Sequence, residues 1–333
     1  RYEDTIKLAD DPDYNQASFE GMLEIKGDTD HTKLIEMLDA LNDESQKIDD
    51  VLDTYFDTEN LVYWLAFQIL TGNCDTQNRN CYLYSPLNSN TWYFLDWDND
   101  GMLRKLELSL TGFSDYASWE RGASNYWGNV LFNRALRSKS FRSELYRAVK
   151  DLRSYLTETR LTKMIKHYRE VTESLVFASP DIDNLPVTKD QYEQIAAAIP
   201  SEIEENYKSF RESFKKPMPF YIGVPQIDNG KLRINWDASY DFEARDIRYT
   251  VELARDYAIS DVVFKAEDVL LPEVTCDAPD AGQYFVRVRA TNSDGYTQDA
   301  FDYYVTDDGK HYGMKCFYVQ DGGKVVEDTY EEG

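Results

Sequence analysis

Apolar residues first fall into a clear period after Thr32, where Leu34, Leu38 and Leu41 recur at helical spacing behind a short strand-like start in GMLEIKGDTDHTKLIEMLDALND. A stronger helix is predicted in FDTENLVYWLAFQILTGN. Asp57 or Thr58 can cap its start, Leu61, Leu65 and Ile69 with Val62 and Leu70 give it a wide apolar face, and Gly72 is a natural stop. The period then changes. CYLYS and TWYFL read as two strands about the turn SPLNSN, and the acidic run DWDND follows directly. Beyond a stretch containing Trp119 and Trp127 the pattern is helical again, through WGNVLFNRALRS, KSFRSELYRAVKDLRSYL, ETRLTKMIKHYREVTESL and KDQYEQIAAAIPSEIEENYKSFRESF. Pro200 is expected to kink or interrupt the last of these, because it lacks an N–H and crowds the preceding turn.

At KKPMPF the character shifts to alternating strands, among them KLRINWDA, IRYTVELARD and GQYFVRVRATNSDG, with turn signals between. The placement of Trp236, Tyr249 and GQYFVRVRATNSDGY resembles a fibronectin type III domain over residues 218–307, and GMKCFYV and KVVED about QDGG add one more hairpin. The expected fold is therefore α+β. Residues 1–217 form a mostly helical domain carrying a hairpin, and residues 218–333 an all-β, immunoglobulin- or fibronectin-like sandwich with a C-terminal hairpin.

Composition narrows the function. The 333 residues carry a formal net charge of -25, which argues against nucleic acid or an anionic membrane as the main partner. A hydrophobic fraction of 42% is enough for packed cores. Cys74, Cys81, Cys276 and Cys316 contain no C-x-x-C pair, so a structural zinc site is not expected. A bridge between Cys276 and Cys316 stays open, whereas Cys74 and Cys81 read as buried free thiols. His31, His167 and His311 sit far apart, which disfavours a Ser-His-Asp triad. No stretch is long and apolar enough to span a membrane. The chain starts at Arg1 without a signal peptide and reads as an internal segment.

The run DWDNDGMLRKLE, Asp96 to Glu107, satisfies the EF-hand pattern at every position. An EF-hand needs a helix entering the loop, however, and the segment entering here is the aromatic, β-favouring TWYFL. A plain acidic turn that binds nothing is the bland alternative. A third reading comes from upstream. GNCDTQNRN places Asp75 and Asn80 in the D-x-x-x-x-N spacing that protein kinases use to orient a substrate hydroxyl and to bind Mg2+, and a hairpin then leads to further carboxylates. Trp92 and Trp97 read as core residues.

LTGNCDTQNRNCYLYSPLNSNTWYFLDWDND resembles the CotH kinase family, the spore-coat protein H-like atypical protein kinases. The features that carry the resemblance are Gly72, Asn73 and Asp75, then Asn80 with CYLY, then Trp92 and the W-D-x-D element Trp97 to Asp100, over about residues 1–216. The resemblance implies a protein-kinase-like C-lobe with a catalytic-loop hairpin. It implies Asp75 as the catalytic carboxylate, Asn80 and Asp98 as ligands of Mg2+ or Mn2+, and Asp100 as a second carboxylate for metal or phosphate. Asp96 stands where the family usually has proline and is read as an exposed turn residue, and Glu107 as a surface residue. A kinase also needs a nucleotide-covering lobe with a phosphate-binding Lys. Lys7 and Lys26 sit in no family motif, so the N-lobe is expected to be missing or incomplete and the nucleotide contacts to lie upstream of Arg1.

Under this resemblance the parent protein transfers the γ-phosphoryl of ATP to Ser or Thr of a surface or coat protein. It would act outside the cell, at the cell surface or in the spore coat of a bacterium. The sandwich would present the enzyme or bind a surface protein or glycan. The alternative is a secreted or cell-surface binding protein on a degenerate kinase scaffold, with a structural Ca2+ in the acidic loop.

Overall fold

The computed structural model describes residues 11–22, 30–77, 79–112, 116–307 and 309–328. In chain order the helical part runs α1 (Gln16–Met22), α2 (Thr32–Asn42), α3 (Ile48–Tyr55) and α4 (Thr58–Thr71), then β1 (Cys81–Tyr84) and β2 (Tyr93–Asp96). It continues through α5 (Lys105–Thr111), α6 (Val130–Arg137), α7 (Lys139–Tyr155), α8 (Glu158–Val176) and α9 (Lys189–Ser213). The strands that follow are β3 (Gln226–Asp228), β4 (Lys231–Asn235), β5 (Ile247–Ala254), β6 (Val262–Val269), β7 (Glu273–Asp277) and β8 (Gly282–Asn292). They end with β9 (Thr297–Asp299), β10 (Tyr303–Thr306), β11 (Gly309–Tyr312), β12 (Met314–Val319) and β13 (Val325–Glu327). The expected α+β order holds: helices with one hairpin, then antiparallel sheets.

The strand expected before Thr32 begins at Gly21 and Met22, which instead close α1; residues 23–29, with Lys26, and Lys7 lie outside the described residues. The chain forms two compact units. One comprises residues 1–67, 78–99 and 129–152, and the other residues 68–77, 100–128 and 153–333.

The core of the first unit is built on α4. Leu61, Val62 and Leu65 are fully buried, and Trp64 stacks on Phe132 of α6 with ring centroids 5.9 Å apart. Asp57 caps α4 as predicted, its Oδ1 accepting the Asn60 N–H at 2.9 Å. Asn60 then holds the hairpin. Its Oδ1 accepts the Phe94 N–H at 2.7 Å and its Nδ2 donates to the Phe94 carbonyl at 3.1 Å. Phe94 is thereby set against Trp64, centroids 4.8 Å apart.

Among the described residues of the second unit the strands form two larger sheets and a two-stranded one, β10-β11. The larger sheets have the orders β3-β4-β7 and β13-β12-β8-β5-β6, with β9 paired to β8. Leu232 and Ile234 of β4 alternate inward between exposed Lys231, Arg233 and Asn235, the pattern of a sheet with one wet face. Between the sheets Trp236 meets Tyr249 edge-on at 5.2 Å, amid Val251, Val286 and Phe317. The sandwich reaches further along the chain than residue 307. β12 pairs with β8 from Met314↔Arg287 to Val319↔Gly282, so GMKCFYV is a full strand of the larger sheet as well as one arm of the terminal hairpin.

Pro200 does not interrupt its helix: α9 runs from Lys189 to Ser213 with Pro200 inside. The reason is tertiary. Beyond the proline, Ile203, Asn206 and Phe210 are buried, and their packing outweighs the lost backbone hydrogen bond.

Candidate active site

The turn that carries Asp75 is fixed from the C-terminus of α4. Gly72 adopts φ +66°, the left-handed geometry that ends helices. Its N–H donates to the Ile69 carbonyl at 3.2 Å and the Asn73 N–H to the Gln68 carbonyl at 3.0 Å, the two bonds of a Schellman ending. The remaining terminal carbonyls find distant donors. Leu70 accepts from Asn206 Nδ2 at 3.0 Å, Thr71 from the Leu103 N–H at 2.8 Å, and Gly72 from Arg121 Nη1 at 3.2 Å.

Asn73 is buried; its side chain accepts the Asp75 N–H at 3.3 Å and its carbonyl accepts the Tyr126 hydroxyl at 3.2 Å. Cys74 donates its thiol to the Glu120 carbonyl at 2.9 Å, and burial pushes that thiol up to about 12. Gly101, which follows the acidic run, packs against this turn within the second unit. A Cβ placed on Gly101 would stand 2.7 Å from Asn73 Oδ1 and 3.4 Å from Asp75 Cβ, so only glycine permits the approach. Within the second unit Asp75 and the segment Asp100–Gly101, the end of a short 3-10 turn, are thus neighbours.

Asn80 and Asp98 belong to the first unit. Cys81↔Asp96 is the last pair of the β1–β2 ladder, so Asn80 and Asp98 both emerge at the hairpin's open end. Each holds left-handed backbone, φ 56° at Asn80 and 52° at Asp98, a conformation Asn and Asp tolerate better than other side-chain-bearing residues.

Two expectations about the aromatic residues separate here. Trp92 is buried, its N–H donating to the Tyr55 carbonyl at 2.7 Å. Trp97 is not core: it is 54% exposed and meets Tyr82 edge-on at 4.9 Å. Tyr82, Tyr84, Tyr93, Leu95 and Trp97 share one face by strand alternation, while Phe94, on the other face, takes the interior.

Asp96 ends β2 and is exposed, as expected. Glu107 lies in the first turn of α5, where it pairs with Arg104 at 2.9 Å. A strand enters the acidic run and its last acidic residue is bound to an arginine, so the EF-hand pattern lacks the helix-loop-helix it requires. Among the described residues no three His, Cys, Asp or Glu side chains gather as a metal cage. Asn80 and Asp98 are oxygen donors of the first unit, Asp75 and Asp100 of the second, and oxygen donors of this kind are the chemistry that Mg2+ takes alongside water and phosphate oxygens.

The sequence contained no local sign of Arg121, Asn206 or Glu202. Arg121 and Asn206 hold the end of α4, and Glu202, buried with its carboxyl pushed up by desolvation, accepts the Lys105 N–H at 3.2 Å where α5 begins. All four cysteines are free; Cys276 and Cys316 stand in different sheets.

The chain is thus a helical, hairpin-bearing part followed by antiparallel β-sheets. The family model described as CotH kinase protein matches residues 2–210, and the chain belongs to that family. The β-rich part that follows is consistent with a fibronectin-like domain. No curated protein matches the chain. Among solved structures, the twitchin kinase region from C. elegans (Fn31-NL-kin-CRD-Ig26) is similar at 19% identity and a TM-score of 0.22, over 28% of this chain and 20% of that one. No helix among the described residues is long and apolar enough to cross a membrane.

Proposed function

We propose that the chain is the catalytic-loop portion of a metal-dependent atypical Ser/Thr protein kinase that uses ATP. Family membership supports kinase-like chemistry, and the observation that carries the residue assignment is the contact of Gly101 with the Asn73–Asp75 turn. Kinases need the metal-binding element next to the catalytic loop, because phosphoryl transfer is catalysed chiefly by positioning and by electrostatics.

Asp75 would accept the proton of the acceptor hydroxyl as the hydroxyl oxygen attacks the γ-phosphorus and the bond from that phosphorus to the β,γ-bridging oxygen breaks, releasing ADP. Asn80 and Asp98 would hold Mg2+ or Mn2+, with Asp100 supporting metal or phosphate. The ion, when bound, supplies charge compensation on the phosphate oxygens. A coat or cell-surface protein acceptor follows from the family's association with the spore coat, and the sandwich would bring the site to that surface.

The test is phosphoryl transfer from radiolabelled ATP by the full-length parent protein, alongside Asp75→Ala and Asp98→Ala. Both variants should lose on the order of 100-fold or more, the loss typical of removing a group aligned with the reacting atoms. Equal transfer by all three removes the assignment. Calorimetry adds a second check. Metal binding should strengthen with ATP, whereas tight Ca2+ binding indifferent to nucleotide would indicate a structural calcium loop instead.

A further inference from the structure

Glu202 is a buried acid that the transfer step does not touch. It is 5% exposed on α9, and both of its carboxylate oxygens take the Lys105 backbone N–H, at 3.2 and 3.3 Å. A carboxylate loses more hydration on burial than one amide hydrogen bond returns. Desolvation accordingly pushes its pKa up, against the opposing pull of the Lys105 N–H and of the Arg121 and Lys105 charges. Features that cost stability in this way collect at functional sites.

The neighbours of Glu202 show which function. Lys105 stands shortly beyond Gly101, and between them Leu103 has φ 56°, a left-handed backbone that is an outlier for leucine. Such a residue keeps that shape only where its surroundings fix it. The Leu103 N–H donates to the Thr71 carbonyl at 2.8 Å, and Glu202 fixes the far side at Lys105. α9 holds the opposite partner as well. Asn206, one turn after Glu202 and buried on the same face, donates its Nδ2 to the Leu70 carbonyl at 3.0 Å, just ahead of the Asp75 turn. One stretch of helix thus grips the chain leaving Asp100–Gly101 and the chain entering the Asn73–Asp75 turn, all within the second unit. Glu202 also acts on Arg121, whose Nη1 donates to the Gly72 carbonyl at 3.2 Å. We propose that Glu202 is a positioning residue for phosphoryl transfer: its reach to the Lys105 N–H sets how closely Asp100 approaches Asp75. This role rests on the kinase reading above.

Reach and charge can be separated. Glu202→Gln keeps an oxygen at the same reach and loses the charge, whereas Glu202→Asp keeps the charge and falls short of the Lys105 N–H. In the full-length parent protein, Glu202→Gln should keep kcat within about twofold. Glu202→Asp should lose roughly tenfold or more in kcat with KM for ATP little changed, because displaced reacting groups slow the chemical step. A role in stability alone would lower the denaturation midpoint and leave kcat per folded molecule as it was. Glu205→Gln is the control: Glu205 pairs with the Lys105 ammonium and not its N–H, so kcat should not move. Amide exchange over residues 101–108 reads the tie itself and should quicken in Glu202→Asp but not in Glu202→Gln. The proposal is overturned by a loss in Glu202→Gln as large as that in Glu202→Asp, by a change confined to KM, or by unaltered exchange in Glu202→Asp. A wild-type parent that transfers no phosphate overturns the kinase reading and this role with it. An active wild type beside an undiminished Glu202→Asp overturns the role alone.

Discussion

The Cys74 thiol donates to the Glu120 carbonyl at 2.9 Å, and through it the turn bearing Asp75 is tied to the segment on which the sandwich rests. Next to Glu120, Trp119 donates its Nε1–H to the Ala300 carbonyl at 3.2 Å and meets Phe301 and Tyr312 edge-on at 5.0 and 6.1 Å. The β-domain therefore lies one residue and one hydrogen bond from the Asp75 turn. Cys74 should resist aromatic disulfide reagents at pH 8 in the native chain. Phe301→Ala, which removes a ring from beneath Trp119, should raise its labelling rate several-fold while the other thiols keep theirs. Unchanged Cys74 labelling in a folded Phe301→Ala variant would show that the sandwich does not restrain the turn.

The same burial predicts a pH dependence. Desolvation moves the Cys74 thiol from an ordinary 9.0 up to about 12, so the native state holds this proton more tightly than the unfolded chain. The resulting stability is complete below pH 9 and disappears as pH rises from 9 towards 12. Cys316, likewise pushed up to about 12, adds in the same direction. Denaturant midpoints measured from pH 8 to 11 should fall, and Cys74→Ala should flatten part of the slope.

Gly72→Ala combines two penalties. A Cβ at φ +66° is strained, and it would stand 2.6 Å from both Arg121 Nη1 and Asn206 Nδ2, displacing two donors that satisfy helix carbonyls. The expected loss is about 2–4 kcal/mol, from a left-handed side chain plus two weakened hydrogen bonds. Chemical denaturation of the variant measures it.

Gly101→Ala separates site from stability. The new methyl would press on Asn73 Oδ1 at 2.7 Å and crowd Asp75, at a position whose φ is not left-handed. Stability should fall by only about 1 kcal/mol, and phosphoryl transfer on the order of 100-fold, as a small displacement of a reacting group suffices for that. Equal transfer by Gly101→Ala and wild type would detach the acidic run from the chemistry.

Phe317 tests the reach of the β-domain. It is fully buried on β12 between Val286, Tyr284 and the facing sheet. Phe317→Ala should cost about 3–5 kcal/mol, the range for emptying an aromatic core site. A loss under about 1 kcal/mol would mean that β12 is peripheral.

The elements were legible in the sequence wherever their causes are local. The apolar face of α4, its Asp57 cap, its Gly72 stop and the hairpin about SPLNSN each arise from a period or a turn preference within a few residues. The D-x-x-x-x-N and W-D-x-D segments were readable for the same reason, and they were enough to identify the family. What the tertiary structure decided are contacts between distant parts of the chain. Arg121 and Asn206 meet the end of α4 across 49 and 136 residues, and no short pattern encodes either. Trp92 and Trp97 have the same chemistry, but strand alternation places them on different faces, with only one face against Trp64 and Phe132. α9 passes through Pro200 because buried Ile203, Asn206 and Phe210 hold it from outside. Local propensity wrote the list of elements; burial and hydrogen bonding between distant segments chose which of their side chains meet.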